Sequence, residues 1–283
     1  LRNAVCVGVD LDLIAGLDNF CWPDPVESAK TPDGRYKLAQ LVRANRALDD
    51  VCRAYNLPCI SGKDSMKNDA TLHGEKISIP PTILFSLIGN HSDVRKAVSS
   101  DFKSVGDRIY LCGETHQELG ASELSYLLRD ESSGESGIGG RVPEIDTERN
   151  LTMYRALTAA MSEGLVASAH DCSDGGLAAA IAECCFGSDS GASIDLTSMM
   201  SVGDIDSWGA LFGESLGRIV VSVESKHCGA FEAAMDSHAC HALGTVEAGD
   251  KITFKSGDEA ILSASMADLR AAWKGTLDGG GPQ

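Results

Sequence analysis

The most informative stretch of the sequence reads His170-Asp171-Cys172-Ser173-Asp174-Gly175-Gly176-Leu177. The apolar run 164–169 before it predicts a short buried strand, and the Ala-rich segment 177–186 after it predicts a helix. The polar residues therefore lie at a strand-to-helix corner, where two glycines open the helix. Such a corner presents free backbone N–H groups and the positive end of the helix dipole, and both favour an anion.

Two carboxylates at this corner, Asp171 and Asp174, would repel a phosphate unless a cation lies between them. Mg²⁺ suits this role, because it is commonly held by one or two carboxylates together with substrate phosphates. The corner thus favours a magnesium-bound nucleotide or phosphate. The eight residues are equally compatible with a capped helix in which Ser173 or Asp174 is the N-cap.

Composition limits the classes of function. The chain has 283 residues, enough for one large or two ordinary domains, and a net charge of −17 from 41 acidic and 24 basic residues. This charge argues against a nucleic-acid partner, and no apolar run is long enough to span a membrane. The ten cysteines include no C-x-x-C pair, so we expect free thiols in a reducing, cytoplasmic compartment.

Hydrophobic spacing predicts a mixture of helices and short strands, which is an α+β fold. Apolar residues four apart predict an amphipathic helix over 3–17, and a second apolar face predicts a helix over 36–55. The run 81–88 predicts a fully buried strand. A domain boundary is expected near 101–106, and the Ser- and Gly-rich stretch 131–140 predicts a mobile loop.

Three segments share one pattern, in which a strand is followed by small residues with carboxylates and hydroxyls. They are Asp18-Asn-Phe-Cys-Trp22, Ser61-Gly-Lys-Asp-Ser-Met66 and His170–Leu177. We interpret them as three loops that line a cleft for a metal-bound polyphosphate. A Walker-type loop does not fit, because Gly62-Lys63 is followed by Asp64 rather than by Ser or Thr.

These segments resemble the motifs of phosphoribosylformylglycinamidine synthase, the ATP-dependent amidine-forming enzyme of purine synthesis. The matching stretches occur in the family's order: 17–22, 60–69, 113–123, 170–177 and 211–218. The resemblance is to the second half of the synthetase region, whose units are aminoimidazole-ribonucleotide-synthetase-like (PurM-like). It implies a two-domain α+β unit, with a smaller N-terminal domain over 1–103 that pairs its sheet with a twin and a larger mixed-sheet domain over 104–283.

The resemblance also implies a set of site residues. Asn3 and Asp171 correspond to Mg²⁺ ligands, Ser65 to a substrate contact, and the nucleotide contacts are Asp18, Gly62 and Ser173. Some members carry an asparagine metal ligand where this chain has Lys63. A lysine cannot bind Mg²⁺, so we assign Lys63 to a phosphate of ATP. The family's catalytic histidine motifs lie in its first half, and no catalytic residue is assigned in this chain.

The implied reaction is that of a ligase, in which ATP activates the amide of formylglycinamide ribonucleotide and ammonia displaces the phosphate. The implied partners are the first half of the synthetase, a glutaminase domain or subunit, and a second copy of this chain through the N-terminal sheet. Because the chain starts at Leu1, we expect it to be part of a longer polypeptide. We expect it to be inactive alone, because the first half of the synthetase is missing. Two alternatives stay open: a non-catalytic half with a structural nucleotide site, and a sister ATP-dependent enzyme.

Overall fold

A computed structural model describes residues 1–129, 140–188 and 190–275. Most of the stretch predicted to be a mobile loop lies outside these residues. The helices are α1 (Arg2–Cys6), α2 (Gly34–Ala54), α3 (Glu123–Leu127), α4 (Thr147–Ser162), α5 (Gly176–Phe186), α6 (Thr197–Met200), α7 (Ser207–Phe212), α8 (Cys228–Met235) and α9 (Met266–Gly275). None of the helices in this described part of the chain is long and apolar enough to cross a membrane.

The strands form one small sheet, one large sheet and a hairpin. They are β1 (Asp10–Cys21), β2 (Cys59–Ser65), β3 (Asp69–Leu72), β4 (Glu75–Ser78), β5 (Thr82–Asn90), β6 (Arg108–Cys112), β7 (Ser168–Asp171), β8 (Ser190–Asp195), β9 (Ile219–Val223), β10 (Cys240–Ala248), β11 (Lys251–Ser256) and β12 (Glu259–Ser265). The chain divides into two compact units: a smaller unit, 9–92, and a larger unit, 1–8 with 93–283.

The smaller unit contains a three-stranded sheet in the order β2-β1-β5, the helix α2 and the β3–β4 hairpin. Strand β1 pairs in parallel with β2 and antiparallel with β5. The predicted helix over 36–55 is confirmed by α2. The run 81–88 forms strand β5 as predicted, but its predicted full burial is wrong, since Leu84 is 59% exposed and Ile88 is 66% exposed.

The predicted helix over 3–17 is wrong beyond its first turn. Helix α1 ends at Cys6, Gly8 adopts a left-handed φ of 81°, and β1 starts at Asp10. A spacing of four residues is also two periods of a β-strand, so the apolar positions did not distinguish the two structures. In β1 the buried positions include Leu11, Ile14 and Phe20.

The larger unit is built on a seven-stranded mixed sheet in the order β12-β11-β8-β10-β6-β9-β7. Strand β11 pairs in parallel with β8, and the other neighbours are antiparallel. Helix α5 packs its Leu177, Ile181 and Cys184 into a hydrophobic core with residues of β6, β8 and β9. This mixed α/β architecture agrees with the predicted fold class.

Candidate functional site: an acidic corner in the larger unit and a cavity in the smaller unit

The predicted strand–loop–helix corner is present in the larger unit. Strand β7 ends at Asp171, and α5 starts at Gly176. Gly175 and Gly176 have left-handed φ values of 77° and 65°, which L side chains rarely adopt. A Cβ on Gly176 would also lie 2.6 Å from the carbonyl oxygen of Gly213, so this position requires glycine.

Four polar residues meet at this corner, and we call them the corner cluster: Arg2, Asn3, Asp171 and Ser173. The Asn3 amide Nδ2 donates to Asp171 Oδ1 at 3.4 Å, and the Ser173 hydroxyl donates to Asp171 Oδ2 at 2.6 Å. The Arg2 guanidinium lies 3.4 Å from the same carboxylate and donates to Ser173 Oγ at 3.0 Å. The structure thus brings together three of the predicted site residues and adds Arg2.

The carboxylate of Asp171 is held ionised. Burial opposes its ionisation, but the hydrogen bond from Ser173, the charge of Arg2 and the amide of Asn3 outweigh it. They lower the pKa of Asp171 below its ordinary value. A stable anionic oxygen beside a second oxygen-bearing side chain, Asn3, is the donor chemistry that Mg²⁺ prefers.

The corner cluster fits Mg²⁺ as a partial site and does not form a complete protein cage. Within the ranges that the structure describes, no three His, Cys, Asp or Glu side chains are grouped so as to hold a metal ion. Mg²⁺ does not require such a group, because it keeps several waters and commonly uses one or two carboxylates with nucleotide phosphates. Asp171 and the amide oxygen of Asn3 would hold the ion.

The helix start at this corner differs from the prediction of free N–H groups. The N-cap of α5 is Gly175, so neither Ser173 nor Asp174 caps the helix. The Gly175 N–H donates to Glu214 Oε1 at 2.9 Å, and the Glu123 N–H at the start of α3 donates to the same oxygen at 3.0 Å. The chain's own carboxylate, Glu214, therefore links the starts of two helices.

The motif 211–218 contacts the backbone next to the corner cluster through Arg218. Arg218 is fully buried, and its guanidinium donates to the carbonyl oxygens of Gly213 and Ser215 and to Thr115 Oγ1. Its own carbonyl accepts the Cys172 N–H at 3.0 Å, directly after β7. Burial lowers the pKa of Arg218. This motif therefore fixes the backbone beside the corner cluster.

The other predicted site residues lie in the smaller unit, and the structure places them on strands rather than in loops. Asp18 of β1 pairs with Gly62 of β2, and a Cβ on Gly62 would lie 2.7 Å from Asp18 Oδ1. The Lys63 ammonium donates to the Ser65 hydroxyl. Since side chains alternate along a strand, Lys63 and Ser65 lie on the opposite face of the sheet from Asp18 and Gly62.

A cavity of about 600 Å³ lies beside Asp18 in the smaller unit. Its lining comes from β1, from α2 and from the segment that joins α2 to β2, and it includes Asp18, Asn45, Asp49, Cys52 and Cys59. Of the predicted site residues in this unit, Asp18 lines the cavity. No sequence motif marks these α2 residues, because the polar Asn45 and Asp49 and the apolar-face Cys52 are ordinary members of an amphipathic helix.

A second cavity, of about 550 Å³, lies in the larger unit beside the motif 113–123. Glu114, His116 and Arg149 line it. Arg149 donates to Glu114, and His116 Nε2 lies 3.5 Å from the same carboxylate. Arg149, the arginine that lines this cavity, is thus already paired with carboxylates of the chain.

Comparisons with known proteins identify a family and several solved structures that this chain resembles. Residues 104–257, more than half of the chain, match the family described as AIR synthase related protein, C-terminal domain. PurL of Thermotoga maritima complexed with FGAR matches with a TM-score of 0.67 and 16% identity over 95% of this chain and 41% of PurL. The same PurL complexed with ATP matches with a TM-score of 0.61 and 15% identity over 95% of this chain and 39% of PurL.

A hydrogenase maturation protein has a similar fold. HypE of E. coli matches with a TM-score of 0.60 and 14% identity, over 93% of this chain and 77% of HypE. The chain thus spans about two fifths of the PurL chains and about three quarters of HypE. At these identities the likeness shows the fold, whereas the match over 104–257 shows the family. The chain therefore belongs to the AIR synthase related protein family.

Proposed function

We propose that this chain is the second half of the synthetase region of phosphoribosylformylglycinamidine synthase, a cytoplasmic ligase of purine biosynthesis. The enzyme would convert formylglycinamide ribonucleotide and ammonia to the amidine at the expense of ATP. Support comes from five sequence motifs in the family's order and from the fold shared with PurL, which is known in complexes with FGAR and with ATP.

The corner cluster is the observation that carries the proposal. The ionised carboxylate of Asp171 and the hydroxyl of Ser173 lie within residues 104–257, which match the family, and the amide of Asn3 joins them just before helix α5. We assign Asp171 and Asn3 to Mg²⁺ and Ser173 to the nucleotide. Mg²⁺, when bound, would neutralise the transferring phosphoryl group, while the protein positions the reactants.

The remaining nucleotide and substrate assignments fall in the smaller unit and are proposed for that unit by itself. We assign Asp18, Gly62 and Lys63 to ATP and Ser65 to the substrate, within an N-terminal PurM-like domain over 1–103. Residues 104–283 would form the C-terminal PurM-like domain. Because the sheet separates Asp18 and Gly62 from Lys63 and Ser65, these assignments predict that ligand groups reach both of its faces.

The proposed partners follow from an exposed sheet face. Leu17, Leu84 and Ile88 lie on one face of the small sheet and are 37%, 59% and 66% exposed. An apolar sheet face of this kind is normally covered. We propose that the matching sheet of the first half, or of a second copy of this chain, covers the part of this face on β1 and β5. Lys63 and Ser65 share the face on the edge strand β2 and stay assigned to ligands. A glutaminase domain or subunit would supply ammonia.

A second candidate is a sister ATP-dependent enzyme of the same superfamily. The observation in its favour is the fold, which HypE shares over 93% of this chain with a TM-score of 0.60. In a third version of the role, the nucleotide site is structural and stabilises the fold by mass action without turning over.

The test is ADP formation that requires both formylglycinamide ribonucleotide and ammonia. We expect none with this chain alone and measurable turnover when a first half of the synthetase is added. Asp171→Asn should abolish turnover if this half holds the active site. It should leave turnover intact but prevent nucleotide from copurifying if the site is structural. Asp258→Asn, the same charge change on an exposed turn, is the matched control. If both halves together form ADP at the same rate without formylglycinamide ribonucleotide, the proposed reaction is refuted.

A further inference from the structure

Two cysteines of the smaller unit lie close together at the entrance to strand β2. Cys52 is in the last turn of α2, and Cys59 is the first residue of β2. Their Sγ atoms are 3.8 Å apart. A disulfide needs about 2.05 Å between the sulfurs, so the two sulfurs must move closer together before they can bond.

This thiol pair is accessible to solvent, and in this it differs from a second close pair, Cys112 and Cys240. Cys59 is exposed, Cys52 is half-buried, and both line the cavity of about 600 Å³ beside Asp18. Cys112 and Cys240 are just as close, with their sulfurs 3.7 Å apart, but Cys112 is fully buried between strands. Equal separation with unequal access makes the buried pair an internal control.

We propose that Cys52 and Cys59 form a reversible thiol-modification site that reacts with small disulfides. The exposed Cys59 attacks one sulfur of the small disulfide, forming a mixed disulfide and releasing one thiol. Cys52 then attacks the Cys59 sulfur, which forms the Cys52–Cys59 bond and releases the second thiol. Overall, two protein thiols are oxidised, the small disulfide is reduced to two thiols, and the two protons of the protein thiols pass to the products.

The order of the two steps follows from the surroundings of each sulfur. Burial, the neighbouring Cys59 thiol and the carboxylates of Asp49 and Asp18 raise the pKa of Cys52 to about 11. The thiolate is the attacking species, so Cys52 is a poor first nucleophile at neutral pH. Ring closure should therefore become faster as the pH rises towards this value. The charged groups that line the cavity around the pair are Asp12, Asp18, Asp49 and Arg53.

Closing this bond would change the wall of the cavity that Asp18 shares. It would tie the end of α2 to the start of β2 through a loop of eight residues, 52–59. It would also replace two separate thiols in the lining by one shorter bridge. The inference is independent of the proposed synthetase function, since it depends on the thiols and the cavity alone.

The experiment exposes the whole chain to oxidised glutathione and maps the cysteines by mass spectrometry. We expect the wild type to lose two hydrogen atoms and to yield a Cys52–Cys59 peptide that a dithiol reductant separates. Cys52→Ser should instead retain one glutathione on Cys59, because the resolving thiol is gone. Cys59→Ser should react many times more slowly, and Cys112→Ser should behave as the wild type.

Two results at the Cys52–Cys59 pair, and a third at the buried pair, would overturn the proposal. One is a wild-type chain in which Cys52 and Cys59 both still react fully with an alkylating reagent after exposure to oxidised glutathione, while circular dichroism shows that the variants fold normally. The other is a stable glutathione adduct on wild-type Cys59, which would mean that Cys52 does not resolve it. Cross-linking of Cys112 to Cys240 at the same rate would show that access does not select the pair.

Discussion

The amide Nδ2 of Asn3 lies 3.4 Å from the Oδ1 of Asp171, although 168 positions separate the two residues in the sequence. The short helix α1 carries Asn3 to the end of β7, and Val5 of the same helix is fully buried in the larger unit. The first residues of the chain are therefore part of the corner cluster. The neighbouring Arg2 adds the cation that lowers the pKa of Asp171.

Replacing Arg2 should change the acid stability of the larger unit. The folded-state pKa of Asp171 is lowered, so its ion pair stabilises the fold above the unfolded pKa of about 3.9. That contribution is lost as the pH falls through the lower folded value. Arg2→Gln should lower the free energy of unfolding by roughly 1 kcal/mol at neutral pH. The free energy of unfolding of this variant should also fall less steeply as the pH is lowered.

The measurement is urea denaturation from neutral to strongly acidic pH, with carboxyl NMR to follow Asp171. Arg35→Gln, which removes an exposed arginine of the smaller unit, is the control. An unchanged Asp171 pKa in Arg2→Gln would contradict this role of Arg2. It would show that the hydrogen bonds from Ser173 and Asn3 lower the pKa of Asp171 without it.

Removing the carboxylate of Glu214 should weaken two helix starts at once. Its Oε1 accepts the N–H groups of Gly175 and Glu123, and Glu214→Ala leaves both without this acceptor. We expect a loss of about 2 kcal/mol in the free energy of unfolding. Glu214→Gln keeps an acceptor oxygen and should cost less than about 1 kcal/mol. Equal losses for the two variants in chemical denaturation would contradict this role.

Charging the exposed sheet face should prevent its association. Leu84→Lys combined with Ile88→Lys places two ammonium groups on this face, and burying them would be costly. We expect association with the first half, or between copies, to weaken about tenfold or more in sedimentation velocity. Leu72→Lys alters an equally exposed leucine on the β3–β4 hairpin and should have no effect. Unchanged association of the double variant would show that another surface is used.

Local patterns predicted the elements that local chemistry controls. Two glycines and an alanine-rich run fixed the start and length of α5, and α2 begins and ends within two residues of its prediction. The strand β2 was read as a loop because Ser61, Gly62 and Asp64 have low β-propensity. Pairing with the central strand β1 outweighs that propensity at the edge of the sheet.

The site itself was less accessible to such reasoning. Asn3 and Asp171 were connected through a family resemblance, because no local pattern links residues 168 positions apart. Arg2 and Glu214 were missed, since an isolated charge carries no sign of its partner until the backbone brings the two together. The assignments of Asp18, Gly62, Lys63 and Ser65 remain predictions about ligands.

The most direct measurement is calorimetric titration of the chain with ATP, with Mg²⁺ and with EDTA, up to the solubility limit of the nucleotide. We expect a binding signal that requires Mg²⁺, weakens at least about tenfold in Asp171→Asn and persists in Asp258→Asn. A wild-type chain and an Asp171→Asn variant that give the same titration at every ATP concentration would contradict it.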